Sequence, residues 1–365
     1  MAFGKICAST LRRGLAAAML AAGLAGPALA QNAQPAPAPD GQTDARTAAV
    51  VLMYHRFGES EHPSTSVNMD QFEAHVAELT NGDFNVVPLT EIVDALRAGR
   101  ALPDRTVAIT IDDAYSSVFE RAWPILQREK LPFTLFVATE PVDRGIPGYM
   151  SWDQIRQLHD AGVTIGSQAV THPHMPTQST ARNRLELADS AKRIADQIGA
   201  TPTLFAYPYG ETSAEIMQLT AEAGYQAAFG QHSGVANTTS DRYYLPRFPI
   251  NVNYGGIDRF RRLINTRPLW VSSLTPKDPL LPADGPGNPP AFGFSVNGDS
   301  ADLGTLNCYH SDTSRITQFE RLGNRIEVRF DAPFAAGRTR INCTMPTRDG
   351  RWRWFGMQYY VAPPN

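Results

Sequence analysis

Cysteine is scarce in this chain: among 365 residues there are only Cys7, Cys308 and Cys343, too few for a disulfide-dense scaffold. An excess of one charge is also missing. Lys and Arg total 33 against 36 Asp and Glu, a net charge of −3, so no basic field points to nucleic acid or anionic lipid as a partner. Long apolar runs are absent apart from Gly14 to Gly26, which is short for a bilayer span. No internal repeat is evident. With 42% apolar residues the chain still has material for a substantial core, and its length allows two domains.

What is present starts at the N-terminus. Lys5, Arg12 and Arg13 precede the apolar run and Ala28-Leu29-Ala30 follows it, the pattern of a secretory signal peptide spanning residues 1–30. Cys7 lies ahead of the run and is no lipid-attachment site. The expected mature protein is periplasmic or secreted and carries no transmembrane anchor. It keeps Cys308 and Cys343, which are expected to pair in an oxidising compartment, two free buried thiols being the alternative.

Residues 31–48, rich in Pro, Ala and Gln, read as a flexible leader. Beyond them strand-like and helix-like segments alternate. Val50 to Tyr54, Val86 to Leu89, Val107 to Ile111, Phe133 to Ala138, Val163 to Gly166 and Leu204 to Ala206 read as strands. Asp70 to Leu79, Thr90 to Ala98, Ser117 to Arg128, Trp152 to Ala161, Ala181 to Ile198 and Ala214 to Ala223 carry helical periods. This β-α alternation implies an α/β fold with a parallel sheet, either a barrel or a doubly wound sheet. In both, chemistry sits where strands end at their C-terminal side. Residues 271–290 are dense in Pro and Gly and read as a linker. Residues 291–365 show short alternating runs, expected to form a small antiparallel β-sandwich stapled by Cys308–Cys343.

The pair Asp112-Asp113 closes the apolar run Thr106 to Ile111. Two adjacent carboxylates at the end of a buried strand repel each other and resist desolvation, so a solvated turn or a metal-and-base site must accommodate them. Three further clusters fall at expected strand ends: Gly166 to Met175, which holds His172 and His174; Phe205 to Gly210; and Tyr54-His55-Arg56. Taken singly each histidine reads as structural or exposed, and the shared placement is what makes a site of them.

Residues 49–270 resemble the polysaccharide deacetylase family, the NodB-homology carbohydrate esterases. Thr110 to Tyr115 matches its T-F-D-D-G motif, Gln168 to His172 stands at its H-[ST]-x-x-H, and Ala206 to Gly210 at its R-x-P-Y-G. Val51 to Phe57 and Tyr244 to Pro249 are similar to the branch that deacetylates biofilm poly-N-acetylglucosamine. The resemblance implies a distorted (β/α) barrel and metal-assisted removal of N-acetyl groups, with zinc the expected divalent ion. It implies Asp112 as general base, Asp113 and His172 as metal ligands, and His55 as the acid that protonates the departing amine. The Tyr209 N–H, next to Pro208, would stabilise the oxyanion.

The sequence departs from the family pattern at several points. Gln168 replaces the first metal histidine, and both Gln168 and His174 stand as candidates to complete the ligand set. Ala114 replaces the glycine of the first motif. Ala206 replaces the arginine that orients the base, for which Arg247 is a candidate substitute. The expected partner is an N-acetylated glycan. A weak or inactive relative that binds glycan, or an O-acetyl esterase, are the competing expectations. In the last strand Trp352, Trp354 and Tyr360 share one face and Phe355 and Tyr359 the other, with core packing expected ahead of sugar contact.

Overall fold

The computed structural model describes residues 47–297, 303–311, 314–316 and 318–363. The expected signal peptide, and all but the end of the leader, lie outside the described residues. Among the described residues no helix is long and apolar enough to cross a membrane.

Six strands run parallel and in sequence order: β1 (Ala48–Tyr54), β2 (Thr106–Ile111), β3 (Phe133–Val137), β4 (Thr164–Ser167), β5 (Leu204–Ala206) and β6 (Ala227–Phe229). All residues of β2 and β3 are buried, which is why these runs lack polar alternation. The segment after β6 returns to the first strand. Leu245 bridges to Phe229, and β7 (Phe248–Pro249) pairs in parallel with β1, Leu52 opposite Phe248. Residues 245–249 thereby span the gap between the last and first strands, and the sheet curls into a distorted barrel.

Helices cover the outside. Ser151 caps the helix Trp152–Asp160 by accepting from Gln154 N–H, and Gly199, at φ 73°, ends the helix Thr180–Ile198 in the left-handed region. Two local expectations change. Of Val86 to Leu89 only Val86 is in a strand, Asn85–Val86, because Pro88 lacks an N–H for the ladder and Leu89 opens the helix Leu89–Ala98. The expected helix Ser117 to Arg128 is a π-helical turn, Val118–Ala122, followed by an α-helix, Trp123–Arg128. Pro124 cannot donate to the carbonyl four residues back, so the preceding turn widens.

The C-terminal region forms two sheets. β10 (Gly337–Pro346) lies between β9 (Asn307–His310) and β11 (Trp352–Val361), and β8 (Phe292–Val296) lies between Val271–Thr275 and Arg325–Val328. Cys308 faces Cys343 in register and the two are disulfide-bonded. The Pro- and Gly-rich stretch 271–290 does not run free. Val271–Thr275 pairs with β8 and Leu280–Leu281 with β11, where Val271 and Leu281 are buried. One apolar cluster unites both regions, joining Phe205, Tyr207 and Tyr244 to Phe292, Met357 and Tyr359.

Candidate active site

Asp112 leaves β2 with its N–H bonded to the Tyr54 carbonyl, which fixes it between two strands. Its carboxylate is fully buried and meets the equally buried Arg247 in a two-point bridge, Nη1 to Oδ1 at 2.7 Å and Nη2 to Oδ2 at 2.8 Å. The guanidinium also donates to Thr110 Oγ1 and the Gly230 carbonyl, and lies over the Phe136 ring. A buried charge is tolerable only with such complete pairing. His55, just past β1, places Nε2 at 4.0 Å from Asp112 Oδ2, longer than a hydrogen bond.

Asp113 turns away with φ 75° and Ala114 follows at 55°, both in the left-handed region. Ala169, His172 and Tyr209 also have positive φ, so the strained non-glycine residues concentrate in the three motif loops. Ala114 sits where the family motif has glycine, and its φ gives the reason a glycine suits that position.

Asp113 Oδ1 lies 3.3 Å from His172 Nε2. Burial alone pushes the Asp113 carboxyl up, yet the hydrogen bond and charge of His172, with His55 nearby, hold it down to about 2. For His172 burial works downward, and Asp113 outweighs it to hold the imidazole above its ordinary value. The loop carrying His172 is gripped from the helix Thr180–Ile198. Buried Glu186 accepts from the Val170 and Thr171 N–H groups at 2.8 and 2.9 Å and from Thr171 Oγ1 at 2.7 Å. Sequence reasoning missed Glu186. The available signal was a carboxylate on the same buried stripe as Leu187 and Ile194.

The structure does not bring Gln168 and His174 to this pair as ligands. The Gln168 Oε1 accepts the Asp113 N–H at 3.1 Å. A backbone donor there fixes the amide orientation, so the other end of Gln168 is an NH2 donor, which has no lone pair for a cation. His174 is half exposed and its Nδ1 is 2.7 Å from Glu211 Oε2, with its ring stacked on Tyr209 at 4.2 Å. Among the described residues no group of three or more His, Cys, Asp or Glu side chains could hold a metal ion. Asp113 Oδ1 and His172 Nε2, both buried without another partner, are two atoms that would face a cation there. A catalytic zinc site needs three protein ligands and one open position, so the residues present do not fit one.

The turn after β5 runs Tyr207, Pro208, Tyr209, Gly210, with Tyr209 at φ 58° and Gly210 at 69°. A Cβ on Gly210 would meet Gln231 N at 2.4 Å, so only glycine fits. The Tyr209 ring stands between the two histidines, edge-on to His172 at 4.5 Å and stacked on His174. Buried Glu211 has its carboxyl pushed up by burial, partly offset by His174 and Arg338. Arg56 lies over the Tyr115 ring at 3.4 Å and so ties the first-strand cluster to the first motif.

Residues 99–228, a range that includes Asp112, Asp113, Gln168, His172 and Tyr209, match the family model described as Polysaccharide deacetylase. The chain is 26% identical over 214 residues to the poly-beta-1,6-N-acetyl-D-glucosamine N-deacetylase of Staphylococcus aureus strain MRSA252, covering 55% of this chain and 73% of that one. The Streptococcus pyogenes deacetylase PplD, solved with acetate, superposes with a TM-score of 0.56 at 21% identity over 60% of this chain and 99% of its own. IcaB from Ammonifex degensii superposes with a TM-score of 0.53 at 24% identity over 60% of this chain and 97% of its own.

Proposed function

From the premise that this chain carries a polysaccharide deacetylase domain, we propose that it is an exported hydrolase that removes N-acetyl groups from an N-acetylglucosamine polymer. The observation that carries the reading is the Arg247–Asp112–His55 arrangement at the strand ends. It sets a base of fixed orientation near a histidine that can act as acid. Amide hydrolysis needs both, because an amine leaves poorly unless protonated. In this reading Asp112 takes the proton of the attacking water and Arg247 keeps the carboxylate oriented. His55 delivers a proton to the leaving nitrogen, and its 4.0 Å separation from Asp112 keeps acid and base as distinct groups. The Tyr209 N–H faces the developing oxyanion.

A second reading is favoured by one observation. Because the Gln168 carbonyl is committed to the Asp113 N–H, the site lacks a third ligand, and a protein that binds N-acetylated glycan without turnover accounts for that. Metal content of the purified chain, measured together with acetate release from N-acetylglucosamine oligomers, separates the two. Release supports the hydrolase. Binding of the oligomers without release supports the binder, and release only from O-acetylated substrates makes it an esterase.

A further inference from the structure

The Tyr209–Gly210 turn is held from outside the barrel. Gln358 on β11 is 1% exposed, and its Nε2 donates to the Tyr209 carbonyl at 3.2 Å and the Gly210 carbonyl at 2.9 Å. Arg338 on β10 donates to the same Tyr209 carbonyl at 3.4 Å, and its Nε lies 3.6 Å from Glu211 Oε1. From within the barrel, Tyr244 Oη adds a bond to the Gly210 carbonyl at 3.0 Å. β11 can approach this closely because of Gly356, where a Cβ would lie 2.0 Å from the Ser233 carbonyl.

A tyrosine at φ 58° occupies a strained region that persists only when its surroundings over-determine it. The turn's own bonds, Gly210 N–H to the Tyr207 carbonyl at 2.8 Å and Glu211 N–H to the Pro208 carbonyl at 3.1 Å, are joined by three from the C-terminal sandwich. Anchoring the Tyr209 carbonyl fixes the peptide plane that follows Tyr209, and the bond from Gly210 N–H in that plane to the Tyr207 carbonyl ties it to the preceding turn, and so to the direction in which the Tyr209 N–H points. We infer that the sandwich is part of the active site, with Gln358 as a positioning residue, supported by Arg338, that aims the Tyr209 N–H. The inference rests on the deacetylase reading for its catalytic consequence, though not for its structural one.

The test uses the full chain and Gln358→Met, which keeps side-chain length and removes the donor. The readouts are kcat and KM for acetate release from N-acetylglucosamine oligomers, and amide hydrogen exchange at residues 209–211. A small displacement of an oxyanion donor is expected to lower kcat by about 10- to 100-fold with KM little changed. Exchange at the turn should quicken at the same time. Arg338→Ala, at a partly exposed position, should produce the same pattern at smaller amplitude and decides the matter if Gln358→Met does not fold. A rise in KM with kcat kept, or unchanged exchange at the turn, overturns the inference. If the wild type releases no acetate, the hydrolase reading fails while exchange still decides: faster exchange in the variants supports positioning, and unchanged exchange overturns it.

Discussion

Both carboxylate oxygens of Asp112 are bound by the guanidinium of Arg247, at 2.7 and 2.8 Å, and neither side chain touches solvent. The two residues are far apart in the chain and meet because residues 245–249 run between β6 and β1. Arg247 therefore reaches the end of β2 from the closing segment of the barrel.

Removing one partner of a buried ion pair leaves the other uncompensated, which typically costs about 3–5 kcal/mol. Arg247→Met should destabilise the chain by that order in denaturant unfolding and abolish acetate release. Adding Asp112→Asn to it should restore part of the stability and none of the activity. Full activity in Arg247→Met would remove the pair from the chemistry.

The ligand geometry gives a second expectation. Gln168→His should tighten zinc binding by roughly tenfold or more, since it supplies a third ligand beside Asp113 and His172. His174→Ala should leave zinc affinity unchanged, because its Nδ1 is held by Glu211. Calorimetric titration with zinc checks both. Equal losses in His174→Ala and His172→Ala would place His174 in the ligand set after all.

His55→Ala should lower kcat on amide substrates by about 10²- to 10⁴-fold, the usual contribution of a general acid. The loss should be much smaller on a nitrophenyl acetate, whose leaving group needs no proton. Equal losses on both substrates would make His55 structural, and no loss on either would take it out of the site.

Acid should destabilise the fold through His75. Its ring is buried, stacked on Phe260, and bridges Tyr54 Oη to the Gly255 carbonyl. Burial lowers its pKa from 6.5 to about 4. The unfolded chain therefore binds a proton that the folded chain refuses. Stability is full above pH 6.5 and falls toward pH 4, by on the order of 3 kcal/mol from this group. Unfolding free energies across that window, with the His75 ring followed by NMR, check this. A His75 that titrates near 6.5 in the folded chain would contradict it.

Much of the barrel was legible because β2 and β3 are continuous apolar runs and the helix Trp152–Asp160 has Ser151 as a start signal. β7 and β6 were not, since Phe248–Pro249 holds a proline and Ala227–Phe229 is short and alanine-rich, without a β-branched residue to mark it. Asp112, Asp113, His172 and Arg247 were named from motif positions, and the structure brings Asp112 to Arg247 and Asp113 to His172. The direction of Gln168 was not legible, because it depends on an N–H that points at it only once Asp113 adopts a positive φ. Glu186 was marked only by its place on a buried helix stripe, and Arg338 and Gln358 reach their loop from distant strands, so no local pattern marks those two.

The most direct test is acetate release from N-acetylglucosamine oligomers by the purified full chain, with Asp112→Asn as its control. The predicted result is release by the wild type and none by Asp112→Asn, with both binding the oligomer. Oligomer binding without release by the wild type, at any zinc concentration supplied, would contradict the hydrolase reading and leave a glycan-binding protein.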